Sequence, residues 1–231
     1  MQILHQKTGE VVLSANNMLK DLVNECFDLK KSDLPGWLDE TIENDVAIIN
    51  SYAWTTDRCR RIRICDLDIK GKFTAETLVI YPEYCYETPI FGTEYIRIGT
   101  KKYFGATDFH PVRGDTEYEN QYILSYLNQF PDRDQENSKF YDLTKYFSKK
   151  FWTSKRDYDF CEEYIEITRK YLKQYKLCLA ETEEGSVDKQ FHKDYDVHMA
   201  EKDPAHGILK AYYSEQFATD YIHTFLFDLN G

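Results

Sequence analysis

Two aspartates stand where an aspartate is out of keeping with its surroundings. Asp108 follows Tyr103-Phe104-Gly105-Ala106-Thr107, a run that reads as a β-strand, and Asp is depleted inside strands. Gly105 removes a side chain from the same strand, so something must approach the backbone there. Asp203 lies in Glu201-Lys202-Asp203-Pro204-Ala205-His206-Gly207, with His198 and His206 on either side. A carboxyl group buried among apolar atoms holds its proton at neutral pH and can deliver it. Each residue also has a structural reading: Asp108 as the cap of a turn, Asp203 as the residue that sets the chain before Pro204. Taken alone, each reads as structural. A two-carboxylate hydrolase fits the acid pair but not the aromatic excess described below.

The basic residues are the second candidate set. Arg58, Arg60, Arg61 and Arg63 cluster, and Ser148-Lys149-Lys150-Phe151-Trp152 with Lys155-Arg156 forms another group. They form either a solvated face, a pocket for ligand carboxylates or a docking patch for an acidic partner. The chain carries a net charge of −11, which argues against nucleic acid as the main partner, since phosphate binding needs a basic face. With 19 Tyr, 14 Phe and 3 Trp, the composition suits either a wide cavity lined by rings or a Tyr-rich core. The six Cys form no CxxC pair and the His show no zinc spacing; no metal site and reduced, intracellular thiols follow. No apolar run has membrane length. The expectation is a cytoplasmic protein with no membrane partner (plastid, if a leader was trimmed), in one domain spanning 1–231 and acting as a monomer.

These residues must be positioned by strands early in the chain and helices later. Residues 1–14 read as a loose arm with one short strand. The spacing predicts a helix over Asn16 to Leu29, with Leu19, Leu22, Val23, Cys26 and Phe27 on one side. Ser32 to Glu43 reads as a loop. Strands are expected at Val46 to Trp54, Arg61 to Ile69 and Phe73 to Tyr81, then as a hairpin of Ile90 to Ile98 and Lys101 to Phe109 turning at Gly99-Thr100. In the second of these, Ile62, Ile64 and Asp66 share one face, and Arg61, Arg63 and Cys65 the other. Helices follow at Thr116 to Phe130, Asp157 to Glu181, Asp188 to Met199 and Ser214 to Phe227, with a polar loop at Asp132 to Ser138 and Ser214 as an N-cap. The pattern predicts an α+β fold, a central antiparallel sheet of about six strands with helices on both faces. Asp108 should face the largest cavity.

In order and spacing, several segments together resemble the ferredoxin-dependent bilin reductases. They are Leu78-Val79-Ile80-Tyr81-Pro82, Thr88-Pro89-Ile90-Phe91-Gly92, Thr107-Asp108-Phe109-His110-Pro111, Phe147-Ser148-Lys149-Lys150, Met199 to Gly207 and Phe225-Leu226-Phe227. The resemblance runs from about Trp54 to the C-terminus. It implies a three-layer α/β/α sandwich with a bilin pocket between the sheet and the C-terminal helices. It also implies metal-free radical reduction, fed one electron at a time by an external 2Fe-2S ferredoxin, with no bound cofactor. Asp108 and Asp203 match the family's catalytic acids. Arg63, Lys149 and Lys150 become candidates for the two propionates, Ser148 a hydrogen-bond donor, and His198 and His206 further substrate contacts. The acidic partner would dock on Lys101, Lys102, Lys149, Lys155 and Arg156.

The phycocyanobilin-forming branch carries a Glu and a His on neighbouring strands, where this chain has Cys65 and Thr77; a slip of one residue would bring Asp66 there instead. The Asp108 and Asp203 pair points to the phycoerythrobilin-forming branch, acting on biliverdin with four electrons or 15,16-dihydrobiliverdin with two. Two alternatives stand beside it. One is a bilin-binding carrier or lyase-like protein without reductase activity; the other is a reductase of the same family giving phycocyanobilin or phytochromobilin.

Overall fold

The structure is a computed structural model and describes residues 17–134 and 145–229. The arm at 1–14 and most of the expected loop at 132–138 lie outside the described residues. Helix α1 (Met18–Cys26) leads into β1 (Lys30–Lys31), β2 (Thr41–Glu43), β3 (Ala47–Thr55), β4 (Cys59–Ile69), β5 (Phe73–Pro82), β6 (Ile90–Ile98) and β7 (Lys102–His110). Then come α2 (Thr116–Glu119), a π-helical turn at Asn120–Leu124, α3 (Ser125–Leu127) and β8 (Trp152–Arg156). The chain finishes with α4 (Cys161–Glu181), α5 (Lys189–Lys202), α6 (Ala205–Tyr212), α7 (Glu215–Asp220) and a second π-helical turn, Tyr221–Leu226.

All eight strands join one sheet in the order β1-β3-β4-β5-β6-β7-β8, with β2 also on β3, and every pairing is antiparallel. Eight strands stand where about six were expected, one of those in the arm at 1–14. Beyond the five placed from Val46 to Phe109, the additions are β1, β2 and β8, of two, three and five residues, too short for an alternating pattern to show; two of them occupy the stretch from Lys30 to Glu43.

The sheet has two distinct faces. On one, Phe91 and Phe109 meet the ring of Tyr175 from α4, with centroids 5.4 and 5.3 Å apart. Gly105 faces the same helix: a Cβ there would lie 3.0 Å from the Tyr164 ring and 3.2 Å from Phe160. The close approach anticipated at Gly105 is therefore made by core rings. The alternation along β4 holds as read, with Ile62 and Ile64 in the core under α1 and α4 and Leu67 and Ile69 in a second core with Leu209, Tyr221 and Phe225. The later helices cover this second face. Ser214 caps α7 as expected, its Oγ accepting the Phe217 N–H at 3.0 Å. No described helix is long and apolar enough to cross a membrane.

Candidate active site

Since Phe109 points to the α4 face, its neighbours Asp108 and His110 point to the other. Asp108 is completely buried. The backbone N–H of Ser148 donates to its Oδ2 at 2.8 Å and the Ser148 hydroxyl to its Oδ1 at 2.5 Å. These donors favour the carboxylate, but loss of hydration outweighs them and pushes the Asp108 carboxyl up to about 8. At neutral pH it holds its proton.

His110 lies beside it, with Nδ1 3.9 Å from Asp108 Oδ2. That Nδ1 donates to the Tyr146 carbonyl at 2.8 Å, and burial lowers the imidazole to about 4. His110 is thus a neutral neighbour, and Asp108 gains no cation from it. The ring needs the space left by Gly92, the partner of Asp108 across β6 and β7: a Cβ on Gly92 would lie 2.2 Å from His110 Nε2. Tyr146 itself has φ of 62°, an uncommon conformation for a non-glycine residue. It turns the chain so that its carbonyl meets His110 while its ring meets Tyr195 and His198, 5.4 and 5.1 Å away.

A series of ring contacts and hydrogen bonds runs from here across the sheet. Tyr195 lies between His110 and Tyr81, tilted to the first and edge-on to the second, with centroids at 5.5 and 6.3 Å. The Tyr81 hydroxyl donates to Asp196 Oδ1 at 2.6 Å. Arg63 reaches Tyr81 at 3.5 Å and donates to the Phe225 carbonyl at 3.0 Å. Burial raises Asp196, against Tyr81 and three arginines that lower it. Asp203 comes last. Its Oδ1 accepts the Ala205 N–H at 2.7 Å, across Pro204, while desolvation raises its carboxyl and the Ala205 N–H and Arg63 lower it. Asp203 thus feels the charge of Arg63 on β4, which lies three strands from the β7 that carries Asp108.

The structure brings Asp108 to Ser148 and leaves Asp203 within the field of Arg63. It draws others away. Lys149 pairs with Glu119 at 3.0 Å; Lys150 bonds Asp132 at 2.7 Å and the Phe130 carbonyl at 2.8 Å. His206 turns to Thr219 and Glu215, at 3.4 and 3.5 Å. Cys65 and Thr77 are direct cross-strand partners, and burial pushes the Cys65 thiol up to about 12. Asp66 faces the other side of the sheet, beside Asn50 and Glu76, so no slip of register brings it to Asp108.

Asp108 lines neither of the two cavities described, of about 330 and 290 Å3. Ser148, Tyr146 and Tyr195 fill the space around Asp108 and His110. The sequence reading also missed Tyr81, His110, Tyr146, Tyr195 and Asp196. One signal was present: His192, Tyr195 and Asp196 recur at the three- and four-residue spacing of a buried stripe on α5, where an aspartate is out of place. Among the described residues no group of three or more His, Cys, Asp or Glu is placed to hold a metal ion.

A buried acid, a second raised acid in the field of Arg63, and a series of ring contacts and hydrogen bonds from the first to that arginine suit proton delivery to an extended conjugated molecule. Residues 16–228 match the profile of the ferredoxin-dependent bilin reductases, and the chain belongs to that family: it is an oxidoreductase acting on bilins. A 15,16-dihydrobiliverdin:ferredoxin oxidoreductase of Nostoc punctiforme is 31% identical, over 87% of this chain and 88% of the relative. A relative of the same description from Prochlorococcus marinus is 28% identical over 95% and 89%. The crystal structure of phytochromobilin synthase from tomato in complex with biliverdin superposes with a TM-score of 0.72 at 18% identity, covering 92% of this chain and 81% of that one. That likeness is one of fold.

Proposed function

We propose that the protein reduces 15,16-dihydrobiliverdin to phycoerythrobilin, taking two electrons one at a time from reduced 2Fe-2S ferredoxin and two protons from Asp108 and Asp203. The two-electron substrate is preferred to biliverdin because the relatives matched over most of their length carry that description. The observation that carries the chemistry is Asp108: fully buried, raised to about 8 and held by Ser148. A linear tetrapyrrole accepts an electron readily only when protonated, and an acid still protonated at pH 7 supplies that proton without an external donor. Asp203 serves the second proton from the Arg63 side. Cys65 and Thr77 offer no usable acid beside an outer ring, which supports reduction at ring A with the D-ring vinyl left intact. The reading includes a monomer of one domain in the cytoplasm or plastid.

An anaerobic assay with reduced ferredoxin and each of biliverdin and 15,16-dihydrobiliverdin, with chromatography of the pigment, tests this. Phycoerythrobilin from dihydrobiliverdin is expected. A phycocyanobilin peak would overturn the ring assignment, and pigment bound but unreduced would mark a carrier.

A further inference from the structure

Ser148 reaches Asp108 from a turn of strained backbone, and His110 holds that turn. The imidazole Nδ1 faces the Tyr146 carbonyl at 2.8 Å. A carbonyl only accepts, so Nδ1 carries the proton and donates. The same ring meets Phe147 edge-on, with centroids 5.1 Å apart. His110 therefore grips the two residues that immediately precede Ser148. Tyr146 has φ of 62°, a conformation that disfavours a residue with a Cβ, so the turn keeps it only while its surroundings hold it. Past the turn, the Ser148 N–H and hydroxyl both go to Asp108, at 2.8 and 2.5 Å. The Lys150 N–H donates to Ser148 Oγ at 3.0 Å, which leaves the hydroxyl proton for the carboxyl. Hydrogen bonds weaken steeply as their angle bends, so both donors need residues 146–148 in one arrangement. The gripping ring has one place to stand: a Cβ on Gly92, the cross-strand partner of Asp108, would lie 2.2 Å from its Nε2.

We propose that His110 is a positioning residue for the proton transfer: by gripping Tyr146 and Phe147 it makes Ser148 present both donors to Asp108 in one fixed geometry. The inference rests on the reading of Asp108 as a proton donor. His110 is neutral, its imidazole lowered by burial, so it acts on Asp108 through geometry and not through charge. The other ionisable groups that bear on Asp108 are Arg133, ahead of β8, Tyr171 on α4 and Tyr195 on α5; all three stay in place in the variants below. When the grip is lost, the Ser148 donors drift and the carboxylate form of Asp108 loses their support. Asp108 then becomes a weaker acid, as it does when Ser148 itself is cut back.

Two readouts test this. One is the carboxyl titration of Asp108 in protein labelled with 13C-aspartate, its resonance identified by its absence from Asp108→Asn. The other is the pH profile of kcat on 15,16-dihydrobiliverdin. In His110→Leu both midpoints should move up by about half to one pH unit, the worth of a weakened hydrogen bond to a carboxylate. His110→Asn places an amide N–H where Nδ1–H stands and should restore the wild-type values. In a Ser148→Ala background, His110→Leu should shift them clearly less, because the hydroxyl it positions is already gone. Phe147→Leu loosens the same grip and should move both in the same direction, a result that stands even if His110→Leu does not fold. An Asp108 titration unmoved in His110→Leu, or in Phe147→Leu where the former does not fold, would overturn the proposal. So would an Asn variant that shifts as far as Leu, or full additivity with Ser148→Ala. A carboxyl that shifts as expected while the kcat profile stays put would leave the grip standing and remove Asp108 from the reaction.

Discussion

Ser148 satisfies both oxygens of Asp108, with its backbone N–H on one and its hydroxyl on the other. The acid is therefore held in one orientation by a residue forty positions away, and its proton affinity is a balance between burial, which raises it, and Ser148, which lowers it. Ser148→Ala removes the hydroxyl, the largest of the influences that lower it. The protonated form of Asp108 is present below about 8 and lost above it, so activity should fall as pH rises through that value. In Ser148→Ala the falling limb should move to higher pH; a limb that stays put in the pH profile of kcat would separate Asp108 from the proton transfer.

Asp108→Asn and Asp203→Asn keep shape and hydrogen bonding, and both should bind bilin nearly as well as the parent. Each should slow turnover by about 10²–10⁴-fold, the usual worth of a general acid. They should stall at different coloured intermediates, visible by stopped-flow absorbance under anaerobic conditions, because they stand on different elements, Asp108 on β7 and Asp203 between α5 and α6. The same intermediate in both variants would mean one acid serves both protons.

Tyr81→Phe removes the donor to Asp196, whose carboxyl is 2% exposed. A buried acid left without its partner costs about 1–3 kcal/mol, and the loss should grow as pH rises and Asp196 ionises. Urea melts at pH 6 and pH 9 measure it. Equal stability of variant and parent at both values would show that the hydroxyl is dispensable.

Glu76 lies on the opposite face, where its Oε1 accepts the Leu19 N–H at the start of α1 at 2.9 Å. Burial pushes it up to about 8, and its Oε2 has no partner. A carboxyl whose folded pKa lies above its unfolded one binds more protons in the native state. Stability then declines as pH rises from about 4.5 to 8 and levels off above. Glu76→Gln keeps the acceptor and removes the charge. It should raise stability by on the order of 2 kcal/mol at pH 9 and by nothing at pH 4, in paired thermal melts.

Lys102 opens β7, and β8 sets Lys155 and Arg156 against Phe104 and Tyr103, so these cations gather with Lys101 at one corner of the sheet. On a chain of charge −11, an acidic ferredoxin needs such a corner to dock. Lys155→Glu should lower kcat/KM for ferredoxin several-fold with bilin binding intact. The parent's rate should fall steeply with salt. A rate indifferent to salt up to several hundred millimolar would exclude steering by charge.

What the sequence determined by itself was local and periodic. Alternation along Arg61 to Ile69 placed Asp66 with Ile62 and Ile64 and set Arg63 and Cys65 on the other face, as found. The helical stripe through Tyr164, Tyr171 and Cys178 marked the long helix, and Ser214 marked a helix start. These features depend on neighbours within a few residues. The tertiary structure alone decided which distant groups meet. Lys149 and Lys150 follow Ser148 directly, yet Glu119 and Asp132 turn them away, and nothing in their own segment specifies that. The π-helical turns interrupt stretches whose spacing reads as plain helix. Asp196 became part of the site through a hydroxyl 115 residues distant, on β5. The proton that Asp108 keeps is decided in the same way: a carboxyl's charge state depends on the water removed around it, and Ser148, Tyr146 and Tyr195 reach it only when the sheet and the later helices close together.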